Sequence, residues 1–114
     1  WTRSARLMRD VFVSSRKEYE AGLLTDNQFI EIIYAFTRLA PAEAAENLTN
    51  YLKALNKNQE ENKPSGTPIV LAVIQSLQLL RDKIAFDDLL YATYQNYPDE
   101  VISAARDALS KLKW

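Results

Sequence analysis

The sequence contains no cysteine and no histidine. Without cysteine there is no disulfide, no thiolate metal site and no cysteine nucleophile. Without histidine the commonest general base and the commonest metal ligand are both missing, which leaves Asp, Glu, Lys and Tyr for acid–base work. Glycine occurs only at Gly22 and Gly66, and proline only at Pro41, Pro64, Pro68 and Pro98. Punctuation this sparse, with apolar residues three and four apart, predicts helices throughout and no strand. The longest apolar run, Ile69 to Ile74, falls far short of the roughly 20 residues of a membrane span. Net charge is −1, so the chain as a whole has no electrostatic case for nucleic acid or an anionic membrane.

The 114 residues suffice for one domain and one core, and 47% apolar with 25% charged residues is ordinary for a folded chain. The first residue is Trp1, with no cationic-then-apolar leader after it, and we read the chain as a piece of a longer protein. The lack of cysteine leaves the compartment open between the cytoplasm, slightly favoured, and an exported setting.

Six helices are expected. The first covers about residues 2–21, with Leu7, Met8, Val11, Ser15 and Glu18 on one side, Phe12 and Tyr19 at its edge, and Gly22 to end it. Thr25 opens Thr-x-x-Gln, a capping box, ahead of a second helix carrying Phe29, Ile32, Ile33, Phe36 and Leu39. Pro41 suits the first position of a third, whose apolar face is Ala44, Ala45, Leu48, Tyr51, Leu52 and Leu55. Residues 56–66 are polar and aperiodic and read as a flexible loop. Thr67 and Pro68 restart the chain, as cap and first residue, into a fourth helix apolar nearly all round, hence the most buried. A fifth is expected over about residues 84–96. Pro98 opens the sixth, with Asp99 and Glu100 in its positive first turn.

The helices repeat. Residues 101–112 lie over 69–80, so that Ala104 matches Ala72, Leu109 matches Leu77 and Leu112 matches Leu80, an offset of 112 − 80 = 32. Ala35, Phe36 and Leu39 match Ser76, Leu77 and Leu80, an offset of 80 − 39 = 41, and Ala44 and Leu48 fall on Ala85 and Leu89 at the same offset. A helix pair recurring at such a period predicts an α-solenoid, with a small residue late in each first helix to let neighbouring backbones approach. The stretch 97–112, with its proline, acids, paired alanines and Arg106-Asp107, resembles the first helix of a HEAT-like, armadillo-type repeat, and 66–96 resembles a whole one. The resemblance is fair over 25–55 and absent over the first helix. It departs where Ile74 stands in the place of Arg106 and where the first repeat lacks an acid between its helices. It implies an all-α, right-handed stack of about two and a half repeats in one domain: a leading helix over 1–22, repeats over 25–57 and 67–96, and the first helix of another over 98–114. That last helix is then expected to leave an apolar face for a further helix or a partner to cover.

Function is expected to be binding rather than catalysis. In the carboxylate pairs Asp87–Asp88 and Asp99–Glu100, adjacent helical residues point about 100° apart, so neither pair converges on one atom. No Gly-rich phosphate cradle and no oxygen-rich metal loop is present, and no cofactor or small-molecule substrate is expected. A stack lines one face with its second helices. Projection places Glu46, Asn50 and Lys53 outward on the third helix, and Asp87, Asp88, Tyr91 and Gln95 outward on the fifth, over an inward Phe86, Leu89, Leu90 and Tyr94. The 41-residue register sets Glu46 beside Asp87 and Asn50 beside Tyr91. Arg6, Arg9 and Arg16 would extend this face as a basic edge. The leading expectation is a scaffold or adaptor that binds another protein or peptide there, with Tyr91 as anchor between acids. Two alternatives stand beside it: a nucleic-acid-binding stack using Arg3, Arg6, Arg9 and Arg16, and a structural segment of a larger enzyme or assembly.

Overall fold

The described residues form six α-helices and one 3₁₀ turn: α1 (Thr2–Glu20), α2 (Asp26–Leu39), α3 (Pro41–Glu60), α4 (Thr67–Leu80), a 3₁₀ turn (Lys83–Ala85), α5 (Phe86–Ala92) and α6 (Asp99–Ser110). The computed structural model describes residues 2–63 and 65–113, with side chains from residue 5 onward. Among the described residues there is no strand, only an isolated bridge between Asp82 and Lys113, and no helix is long and apolar enough to cross a membrane.

Local chemistry sets the helix ends. Gly22, at φ 80°, takes the left-handed position that ends α1, and Leu23 N–H and Gly22 N–H return to the Glu18 and Tyr19 carbonyls, a Schellman closure. Both bonds of the capping box form: Gln28 N–H donates to the Thr25 hydroxyl, and Thr25 N–H to the Gln28 side chain. Pro41 lies in the first turn of α3 as expected. At α4 the cap is Gly66, and Thr67 already lies inside the helix.

The helices form a slab, 37 × 37 × 19 Å, two helices thick at ordinary interaxial spacing. α4 is central, packing on α2, α3 and α6. Its start lies by the start of α2, since Gly66 sits against Asp26 and Tyr19. The ends of α4 and α6 also meet: Arg81 Nε donates to the Lys111 carbonyl at 3.0 Å, and Lys113 N–H to the Arg81 carbonyl at 2.9 Å. Thus α2, α4 and α6 lie side by side, running the same way. α3 packs behind them with α1 and α5 as neighbours. The core is continuous, and Val73, Ile74 and Leu77 of α4 are almost wholly enclosed, as its all-round apolar sequence requires.

Four expectations are corrected. On α1 the buried side is Phe12 and Ser15, with Met8 and Tyr19 packed against the core, while Leu7 and Val11 stay 59% and 47% exposed. Ring stacking decides this rotation: Phe12 lies 5.1 Å from Phe36 and 6.0 Å from Phe29, centroid to centroid, and Tyr19 lies 4.8 Å from Phe29. Aromatic area outweighs the smaller stripe of Leu7 and Val11. Second, α3 runs into the expected loop as far as Glu60, and a second Schellman closure follows at Asn62, φ 61°. Third, α5 is short, preceded by a 3₁₀ turn that Asp82 caps through Ile84 N–H, and Tyr94 is 75% exposed rather than inward. Fourth, the apolar side of α6 is covered: Val101, Ala105 and Ala108 are fully buried by α4 and α5.

Candidate functional site

The α3–α5 contact gathers most of the outward residues predicted on those two helices, but in another register. The Asn56 side-chain amide donates to the Asp88 carbonyl at 3.0 Å, and the Tyr91 hydroxyl donates to the Glu60 carboxylate at 2.8 Å. Tyr91 therefore stands against Glu60, not beside Asn50, a displacement of ten residues or about 15 Å along α3. The extra turns of α3 cause it: residues read as loop are helix, and they supply the partners. Asn56 is only 1% exposed, and its carbonyl oxygen accepts from the Tyr97 hydroxyl at 2.9 Å. One amide thus ties α3 to α5 and to the connection before α6. Gln59 adds a bond to the Asn96 carbonyl at 2.7 Å.

Around this seam, Asp87, Tyr91 and Lys53 are exposed, and Asp88 and Gln95 are half-buried. Burial raises the Asp88 carboxyl above its ordinary value; nearby Lys53 opposes this and Asp87 adds to it. The Tyr91 phenol is also held above its ordinary value, chiefly because it donates to Glu60. The exposed Tyr94 adds a second ring that sequence reasoning had turned inward. α5 ends two residues earlier, at Ala92, so the helical projection does not reach Tyr94.

The remaining predicted residues lie apart from this seam. Arg16 sits over the Tyr51 ring, 4.5 Å from its centroid, and pairs with Glu20 at 3.3 Å. Together with Phe12, Val13, Lys17, Asn47 and Asn50 it lines a cleft of about 340 Å³ between α1 and α3. Arg9 faces Asp10 at 3.6 Å, and Glu46 is exposed on α3. Arg6 is exposed, and Arg3 lies outside the described side chains. The basic edge is thus reduced by partners of its own. Among the described residues no group of three or more His, Cys, Asp or Glu side chains is placed to hold a metal ion.

A second cleft, about 380 Å³, adjoins the seam, with Val70, Tyr97 and Pro98 in its wall and Gln59, Ser65, Thr67 and Asn96 as polar lining. What the α3–α5 surface offers chemically is two exposed phenols, several carboxylates, one nearby ammonium and a polar cleft. No protein-family model matches this chain, and neither does any curated protein or solved structure.

Proposed function

We propose that this chain is a stack of HEAT-like helix pairs that binds another protein along the outer surface of α3 and α5. Support for the stack comes from residues one repeat apart that touch. Tyr34 and Gln75, 41 apart, are hydrogen-bonded at 3.0 Å, and Lys113 N–H meets the Arg81 carbonyl, 32 apart, at 2.9 Å. These are the two offsets at which the helix sequences superpose, and helices stacked without slippage bring equivalent positions side by side. The α3–α5 row is the one that slips, because α3 is nearly three times the length of α5.

In this reading Tyr91 and Tyr94 are the anchors, and Asp87, Asp88 and Lys53 set charge complementarity at the rim. A single observation carries the surface: two tyrosines, 43% and 75% exposed, lie on α5 and in the turn just past its end beside carboxylates, where burying them on a partner costs little side-chain entropy. The test is affinity capture from the source lysate with the full chain and with Tyr91→Ala and Tyr94→Ala. We expect a protein held by the parent chain and lost with both variants, at unchanged melting temperature. Equal capture by the variants removes the proposal, and so does a fall of several degrees in melting temperature.

A further inference from the structure

Two clefts adjoin where α2 and α4 end. One, about 530 Å³, has Tyr34, Pro41, Leu79 and Leu80 in its wall, with Arg38 also lining it. The other, about 350 Å³, is lined by Arg81, Asp82, Lys83 and Lys113. Leu80 belongs to both, so an apolar cleft runs into a cationic one.

Across the two clefts four cations face one acid. Arg38, Arg81, Lys83 and Lys113 are all exposed, and among the described residues none of them takes part in an ion pair. The acid, Asp82, is engaged in capping Ile84 N–H at 3.0 Å. The net charge of −1 for the whole chain conceals this local excess. Cations favour helix C-termini, which accounts for Arg38 in the last turn of α2 and for Arg81 at the end of α4. The helix dipole does not account for the aliphatic side chains beside them. Leu39 and Leu79 are 58% and 70% exposed, and Ile84, next to Lys83, is 49% exposed. α4 buries all its other large aliphatic side chains wholly or in part, so Leu79 is its exception.

We propose that these clefts bind an acidic peptide segment of another protein, with a large apolar side chain seated against Leu79 and Leu80 and carboxylates following it toward Arg81, Lys83 and Lys113. Charge complementarity selects the occupant, because unpaired cations with one engaged acid among them favour an anion. The apolar wall requires that this anion carry a hydrophobic anchor, and concave walls of this size fit a chain rather than a flat lipid surface. The site shares no residue with the α3–α5 surface, and neither proposal depends on the other. Its contacts are exposed charges and one anchor, so binding is weak and favoured by low salt.

Amide chemical shifts of the full chain, followed at low salt as the capped peptide Leu-Trp-Glu-Asp-Glu-Glu is added, test this. We expect changes clustered at Arg38, Leu79 and Lys83 that fade as salt is raised. The neutral analogue Leu-Trp-Gln-Asn-Gln-Gln lacks the charge and hexaglutamate lacks the anchor, so neither should match the acidic peptide. Lys83→Glu and Leu79→Ser, both at exposed positions, should each weaken binding about tenfold. Equal binding by either control peptide overturns the proposal. So do changes spread over α1 or centred on Tyr91, the absence of any change, and binding to phosphatidylserine vesicles alone. Where a variant lowers the melting temperature, the contrast between acidic and neutral peptides on the parent chain decides.

Discussion

The half of the core around α1, α2 and α3 is aromatic, and the half around α4, α5 and α6 is built of small and branched aliphatic residues. In the first, Phe12, Phe29, Phe36, Tyr19 and Tyr51 stack or meet edge to face within 6.0 Å. In the second, Ala72, Ala85, Ala92, Ala105 and Ala108 lie fully or almost fully buried among Ile69, Val73, Ile74 and Leu89. Large rings gain area for each residue ordered and can hold a helix by one edge, which is how α1 stays attached while Leu7 and Val11 face solvent. Alanines gain little area themselves but let α4 and α6 approach closely, so backbone proximity and polar links secure that half.

The sharpest way to break this comparison is Phe12→Ala. Its ring is 2% exposed and contacts three other rings. We expect a loss of about 3–5 kcal/mol in urea unfolding, the usual range for a buried Phe truncation. The loss should include selective exposure of α1 amides in hydrogen exchange, because that helix has few other ties. A loss under about 1 kcal/mol would show that the rings are not what holds α1.

The aliphatic half should fail through a polar residue instead. Asn56→Ala leaves the Tyr97 hydroxyl and the Asp88 carbonyl without their partner. With each unsatisfied buried group costing about 1–3 kcal/mol, we expect a loss of about 2–3 kcal/mol, centred on α5 and the connection before α6. Asn56→Asp keeps the acceptor for Tyr97 but sets a buried carboxylate against the Asp88 carbonyl, so at neutral pH it should lose at least as much as Asn56→Ala.

That polar link marks the limit of what the sequence makes legible. Helix number and type, the capping box at Thr25, the apolar face of α3 and the centrality of α4 follow from periodicity and punctuation, because those helices bury what their own pattern segregates. The α1 face does not, since a stripe of Leu7 and Val11 competes with one of Phe12 and Tyr19, and only the rings on α2 and α3 decide between them. Asn56, Gln59 and Glu60 look like loop because their polarity has no local use; their partners Asp88, Tyr97, Asn96 and Tyr91 lie more than 30 residues away. Asn62 was the available signal, being the residue other than glycine best suited to a left-handed helix end. The register of Tyr91 on α3 was lost with those turns.

Alkaline titration separates the halves less drastically. Burial pushes the phenols of Tyr19 and Tyr97 up to about 12, and Tyr19 gains from its bond to Asp26 as well. Burial also raises Tyr51, opposed by Arg16. A phenol whose folded value lies above its unfolded 10 contributes stability that is fully present below pH 10 and is lost as pH rises from there through the folded value. Unfolding free energy should therefore be flat up to about pH 9 on this account and decline beyond 10. Two of the three phenols belong to the aromatic half, so α1 amides should lose protection first. Tyrosinate absorbance that rises in a single step near pH 10 would remove this expectation.

The smallest effect tests why the aliphatic half uses small residues at all. Ser76 is fully buried on α4, and its hydroxyl has no hydrogen-bond partner among the described residues; Thr49 on α3 shares this condition. If the seam requires only a small side chain there, as Ala35 and Ala108 at the equivalent positions suggest, the hydroxyl is a net cost. Ser76→Ala should then stabilise by up to about 1 kcal/mol, the part of the desolvation penalty that relaxation leaves. Ser76→Leu should destabilise by about 1–3 kcal/mol through overpacking. The pair of outcomes matters more than either alone. A destabilising alanine would mean that the hydroxyl finds an acceptor, such as the carbonyl one turn back, and a tolerated leucine would mean that backbone proximity is not what this half is built on.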